Sequence, residues 1–144
     1  MINQFFQSLE SRQAGESLPL EEVMSHLMFN SSGLIPVVTQ DQASREVLMM
    51  AWMNRDAIDA TLRSGTMTYW SRSRSQLWRK GETSGHVQHL QSMRIDCDGD
   101  ALLCEVQQCG PACHTQRSSC FYLGVDPASR LVTITESPPI TGEI

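Results

Sequence analysis

The run His86-Val87-Gln88-His89-Leu90-Gln91-Ser92-Met93-Arg94-Ile95-Asp96-Cys97, followed by Asp98-Gly99 and then Asp100-Ala101-Leu102-Leu103-Cys104-Glu105-Val106-Gln107-Gln108, reads as two strands about a tight turn. Asp-Gly between two runs rich in apolar residues is a strong short-range hairpin signal. His86 to Cys97 alternates loosely and predicts a long strand, and Ala101 to Gln108 predicts its partner. Leu102, Cys104 and Val106 then share one face, which makes Cys104 a buried core thiol. The same turn gathers Asp96, Asp98, Asp100 and Cys97 into five residues. The fold-deciding stretch is therefore also the most ligand-rich one.

Outward towards the N-terminus, Met67–Ser71 and Leu77–Lys80 predict two more strands about a turn at Arg72–Gln76. Gly81 and Gly85 punctuate the polar loop Glu82-Thr83-Ser84. Asn54 caps a helix through about Arg63, with Ala57, Ile58, Thr61 and Leu62 facing inward and Gly65 just past its end. Leu34–Thr39 and Val47–Met53 predict a first hairpin. Residues 1–30 predict a helical extension, with Leu20, Val23, Met24, Leu27 and Met28 at helical spacing after Pro19. Towards the C-terminus, Cys109–Cys120 is loop, Phe121–Leu123 resumes a strand, and Leu131–Thr135 is one more weak strand before the Pro138-Pro139 turn. The expected fold is a single α+β domain over residues 1–144. It is dominated by a curved, mostly antiparallel sheet with a few peripheral helices, a core at 33–122 and a tail at 123–144.

With 144 residues the chain is of ordinary single-domain size, and its net charge of −5 argues against nucleic acid or a membrane surface as partner. No run approaches the length of a membrane span and no secretory signal opens the chain, so five cysteines read as cytosolic thiols rather than disulfides. The expected compartment is the cytoplasm. One segment reverses the charge. Ala60 to Gly81 holds no Asp or Glu but carries Arg63, Arg72, Arg74, Arg79 and Lys80, the only lysine. With Thr83, Ser84 and Trp78 beside them, these residues supply the cations, hydroxyls and flat apolar face that would hold a phosphorylated nucleotide. A solvated basic loop is the plainer alternative. Trp70 reads as core.

Cys97, Cys104, Cys109, Cys113 and Cys120 include no Cys-x-x-Cys pair, which disfavours a zinc ribbon or finger. Cys97, Cys113 and Cys120 could bind zinc and leave a fourth position for water; a closed site using Cys109, or plain core thiols, are the alternatives. Asp96, Asp98 and Asp100 open like an EF-hand loop, but Ala101 and Gln107 stand where that loop needs Gly and Glu. The trio reads either as a Mg²⁺ site or as an acidic turn. His114, next to Cys113, has a side chain suited to proton transfer near neutrality, and Arg117 could grip a phosphate.

Three runs together resemble the phosphoribosyl-AMP cyclohydrolase family of histidine biosynthesis: Trp78-Arg79-Lys80-Gly81-Glu82-Thr83-Ser84-Gly85-His86, Asp96 to Leu102, and Cys113 to Phe121. Gly33-Leu34-Ile35-Pro36 and Met53-Asn54 are also similar to the family's opening, so the resemblance covers Gly33 to Tyr122. It implies hydrolytic opening of the adenine ring of 1-(5-phosphoribosyl)-AMP at N1–C6. It implies Zn²⁺ on Cys97, Cys113 and Cys120, Mg²⁺ on Asp96, Asp98 and Asp100, and His114 as base. It further implies an intertwined homodimer in which Cys97 comes from one subunit and the other two thiols from its partner. The substrate's phosphates would account for Arg72, Arg74, Arg79, Lys80 and Arg117. The family's cysteine loop reads His-Thr-Gly-Arg-Arg-Ser-Cys; here Gln116 replaces the glycine and Ser118 the second arginine, leaving Arg117 alone for a phosphate. A zinc nucleobase deaminase fits less well, because no Pro-Cys-x-x-Cys is present. A non-enzymatic zinc-binding or redox module would have no use for the aspartates.

Overall fold

The computed structural model describes residues 3–140; the outermost residues of the expected N-terminal extension and C-terminal tail lie outside them. Eleven elements follow in order: α1 (Gln4–Ser8), α2 (Leu20–Met24), β1 (Ile35–Asp41), β2 (Val47–Met53), α3 (Arg55–Ser64), β3 (Thr68–Ser71), β4 (Gln76–Arg79), β5 (Gln88–Ile95), β6 (Leu102–Gln108), β7 (Leu123–Asp126) and β8 (Leu131–Ile134). The architecture is α+β and mostly antiparallel. A four-stranded sheet runs β2-β1-β6-β5, and β3–β4 and β7–β8 are separate two-stranded ribbons.

The Asp98-Gly99 turn does join β5 to β6, paired from Ile95↔Leu102 to Gln88↔Gln108. A bulge between Leu90 and Ser92 explains the loose alternation of β5, since an extra residue flips the inward face partway along the strand. The central pairing, β1 to β6, is parallel, with Val37 opposite Leu102 and Thr39 opposite Cys104. Inward residues on these two strands, Ile35, Val37, Leu102, Cys104 and Val106, form the floor of the core with Met53, Met67 and Tyr69. Burial pushes the Cys104 thiol up to about 12, so it stays neutral and packs as an apolar group.

Helix α3 starts and stops as its sequence dictates. The Asn54 side chain accepts from the Ala57 amide at 2.8 Å, and Gly65 ends the helix in the left-handed region at φ 79°. Ala57, Ile58 and Thr61 are buried, whereas Leu62, expected to face inward, is exposed. Thr61 Oγ1 accepts from the Thr68 amide at 2.9 Å and donates to the Thr68 carbonyl at 3.2 Å, tying α3 to β3. Along β3 it is Tyr69, not Trp70, that points into the core; Trp70 is half-buried on the opposite face.

The N-terminal segment is less helical and less peripheral than its spacing predicts. Only Gln4–Ser8 and Leu20–Met24 are helical, yet Phe6, Met24 and Leu27 belong to the core. Phe6 covers the Asp98-Gly99 turn so closely that a Cβ on Gly99 would overlap its ring, and the Met28 amide donates to the Gly99 carbonyl at 2.8 Å. The extension braces the very turn that carries the aspartates. No described helix is long and apolar enough to cross a membrane.

Candidate functional site

A cleft of about 320 Å³ opens between the loop after β4 and the Cys109–Cys120 loop. Trp78, Lys80, Thr83 and Ser84 line one wall; Ala112, Cys113 and His114 line the other, with Arg74, His86 and Gln116 completing the rim. Two close approaches set its shape. Gly81 turns the chain at φ 82° with its α-carbon packed on the backbone of His86 and Val87, and the His86 ring lies against Gly110. Lys80 crosses between the walls: its ammonium lies 5.2 Å from the Trp78 ring centroid and donates to the Ala112 carbonyl at 2.6 Å. Burial holds that ammonium below the ordinary lysine range, while the nearby Cys120 and Cys113 thiols act in the opposite sense.

The Cys113 and Cys120 side chains lie close enough for each to shift the other's acidity. Burial pushes the Cys113 thiol up, but the Thr115 hydroxyl at 3.0 Å, the Thr115 amide and the Cys120 thiol outweigh it and bring Cys113 below its ordinary value. Cys120 moves the other way, to about 11, chiefly from burial and then from the Cys113 charge. Two thiols that act on each other's charge offer a pair of soft donors from one loop. The donor set fits zinc, with two ligands from this loop.

Asp96, Asp98 and Asp100 bring carboxylate oxygens within 4.8 Å of one another on the exposed β5–β6 turn. Amides of Asp100 and Ala101 donate to Asp96 Oδ1 at 2.9 and 3.2 Å. The Asp100 carboxyl is raised, first by its hydrogen bond to Asp96 and then by burial and the negative neighbours. Three carboxylate oxygens crowded this closely fit a hard divalent cation. Cys97 sits beside them, exposed, in a shallow groove with Phe6, Leu9, Leu18 and Val23. Among the described residues the aspartates are the only three metal-binding side chains that converge, so Cys97 does not meet Cys113 and Cys120 within one chain.

Of the expected substrate contacts, Arg74, Trp78, Lys80, Thr83 and Ser84 share the cleft with His114. Arg72 stacks over Trp52 at 5.0 Å in an adjoining groove lined by Trp70, Arg74 and Trp78. Arg79 lies on β4 outside both. Arg117, expected to grip phosphate, lies outside the cleft: its guanidinium covers the Tyr122 ring at 4.0 Å, and its Nε donates to the Glu136 carbonyl at 2.6 Å. His86 and Gln116 enter the cleft without having been assigned a role by sequence. The place of His86 at the end of the glycine-punctuated loop was the available signal. Gln116 takes φ 70°, the left-handed conformation that explains why a glycine fits there in the family pattern.

One polar cleft of this α+β domain thus collects an imidazole, a thiol and a half-buried ammonium. Residues 49–122 match the family model described as phosphoribosyl-AMP cyclohydrolase. A phosphoribosyl-AMP cyclohydrolase of Halorhodospira halophila is 53% identical over 131 residues, covering 91% of each chain. Those of Alcanivorax borkumensis, at 52% over 92% of each chain, and Roseobacter denitrificans, at 62% over 69% of this chain and 77% of its own, are similar. The chain belongs to the phosphoribosyl-AMP cyclohydrolase family, enzymes of histidine biosynthesis.

Proposed function

We propose that this chain hydrolyses the N1–C6 bond of the adenine ring in 1-(5-phosphoribosyl)-AMP, using zinc on Cys113, Cys120 and the Cys97 of a second copy, and magnesium on Asp96, Asp98 and Asp100. The observation that carries the reading is the cleft that sets Cys113 and His114 on one wall and Lys80 on the other. When bound, zinc supplies a Lewis acid that draws the pKa of water towards about 7, and magnesium supplies charge for anionic oxygens. The chain's own groups do the rest. Arg74 and Lys80 offer cations to phosphate oxygens, and Thr83 and Ser84 offer hydroxyls. Trp78 presents a flat face to the base. The His114 imidazole accepts a proton from the attacking water and returns one to N1 as the C–N bond breaks. Arg72, continuous with the cleft through Arg74 and Trp78, serves the second phosphoribosyl arm, while Arg79 and Arg117 support from outside.

A second copy also accounts for the β7–β8 ribbon. Leu123 pairs with Ile134 and Val125 with Val132, so all four side chains lie on one face, and all are exposed. A two-stranded ribbon is at best marginal alone, and an apolar face of this kind marks an interface. We therefore take the working unit as a homodimer, with no nucleic-acid or membrane partner, acting in the cytoplasm.

The reaction is tested by incubating the purified protein with Zn²⁺, Mg²⁺ and phosphoribosyl-AMP and following ring opening by absorbance; ammonia release would instead indicate a deaminase. The shared zinc site is tested by mixing Cys97→Ser and Cys120→Ser chains, each inactive alone. Random reassociation gives hybrid dimers with one whole site, and about a quarter of wild-type activity returns. A mixture that exchanges subunits and stays inactive would place all ligands in one chain.

A further inference from the structure

The Cys109–Cys120 loop has no regular structure of its own, yet it must hold Cys113, His114 and Cys120 in register with the cleft. Inside the loop, the Cys113 amide donates to the Arg117 carbonyl at 3.1 Å and the Ala112 amide to the Ser118 carbonyl at 3.4 Å. The peptide groups around Arg117–Ser118 thus fix the backbone of the thiol-bearing residues directly. One side of that segment is anchored on the β2 edge: Cys120 N donates to Leu48 O at 2.7 Å, and Ser119 Oγ to Val47 O at 2.7 Å.

The other anchor comes from the far end of the chain. The Ser118 amide donates to both carboxylate oxygens of Glu136 at 3.0 Å, and Ser118 Oγ donates to Glu136 Oε1 at 2.7 Å. Arg117 Nε donates to the Glu136 carbonyl at 2.6 Å. Ser118 Oγ also reaches Glu46 Oε2 at 3.4 Å, a longer contact from the opposite side. Glu136 is itself held by the ribbon, since Thr135 N donates to Tyr122 O at 2.8 Å and the Tyr122 ring lies under Arg117. A carboxylate that takes three donor contacts from one residue is a strong, directional clamp.

We propose that Glu136 is a positioning residue for the thiol–imidazole loop, acting through Ser118 to set where Cys113 and His114 meet the cleft. The proposal rests on the cyclohydrolase reading for its functional meaning. It goes beyond that reading because Glu136 lies outside both the cleft and the matched family segment. Ser118, which departs from the family's cysteine-loop pattern, is the group that makes the clamp possible here: its short hydroxyl sits between two carboxylates.

The test uses Glu136→Ala, Glu136→Gln, Ser118→Ala and the Glu136→Ala/Ser118→Ala pair in the full chain, with two readouts. Site-resolved alkylation of Cys113 in metal-free protein needs no turnover, so it stands even if the proposed reaction fails. Cys113 is 5% exposed, and loss of a charge-assisted clamp is expected to raise its alkylation rate about tenfold in Glu136→Ala. Glu136→Gln keeps an acceptor oxygen and restores most of the protection. In the metal-loaded enzyme Glu136→Ala lowers kcat with little change in KM, and zinc leaves about tenfold faster. The double variant is no worse than Glu136→Ala, because both act through one contact. Wild-type Cys113 protection in Glu136→Ala, or additive effects in the pair, would overturn the proposal. Should Glu136→Ala not fold, Ser118→Ala alone decides: it must raise Cys113 alkylation, and unchanged protection refutes the clamp.

Discussion

Gly81→Ala is the perturbation that most directly tests how the cleft is built. Gly81 has φ 82°, and a Cβ there would lie 2.5 Å from the His86 carbonyl carbon and 2.5 Å from the Val87 amide nitrogen. Both are backbone atoms and cannot rotate away. The left-handed conformation costs an alanine about 1–2 kcal/mol, and forcing the backbones apart adds about 1–3 kcal/mol. Gly85, in the same loop, supplies the control: it has φ 81° but nothing within 4 Å of its would-be Cβ. Gly85→Ala should therefore cost only the conformational part, about 1–2 kcal/mol. Urea unfolding monitored by tryptophan fluorescence compares the two, and KM for the substrate reports the cleft. The expectation is that Gly81→Ala is the less stable variant and raises KM, because moving His86 and Lys80 widens the gap between the walls. Equal destabilisation by the two variants would refute the reasoning that backbone contact, rather than backbone conformation, shapes this loop.

Further outcomes follow from other contacts. Tyr69 is buried, and its hydroxyl bonds to Thr39 Oγ1 at 2.8 Å and donates to Gln88 Oε1 at 2.6 Å. Tyr69→Phe leaves these buried groups short of a partner and should cost about 1–3 kcal/mol, read as a lower urea midpoint at unchanged m-value. Asp41 lies below its ordinary value, chiefly because the Ser44 amide donates to it at 2.9 Å despite some opposing burial. Its contribution is present above the unfolded aspartate pKa of about 3.9 and is lost as pH falls through the lower folded value, so Asp41→Asn should flatten the acid limb of a stability–pH curve. Asp98→Asn should raise the magnesium concentration needed for activity while leaving zinc content unchanged; loss of zinc instead would show that the two metal sites are not separate.

Local patterns were legible wherever one short segment determined its own shape. Asp98-Gly99 marked the β5–β6 turn, Asn54 and Gly65 bounded α3, and alternation placed Cys104 in the core. Pairing between distant strands was not legible, because nothing in Ile35–Asp41 says that it will lie parallel to Leu102–Gln108. At the site, the glycine-punctuated loop announced Trp78, Lys80, Thr83 and Ser84, since close turns and hydroxyls cluster in sequence. The place of Arg117 was not legible, because a guanidinium's charge says nothing of whether a neighbouring ring and carbonyl will take it up. Glu136 carried no signal at all: its contact with Ser118 spans 18 residues and depends on the ribbon folding back. The N-terminal segment was misjudged for a related reason, as only the folded turn at Gly99 reveals the surface that Phe6 covers.

Lys80 gives this enzyme an unusual practical property. It is the only lysine in the chain, and its amine sits half-buried in the cleft wall with a weakened hold on its proton. An amine-acylating reagent therefore meets one lysine side chain besides the α-amine, and the lysine adduct reports the cleft alone. Protection of that side chain by substrate or product, read from the mass of the peptide that carries Lys80, becomes a direct titration of occupied sites.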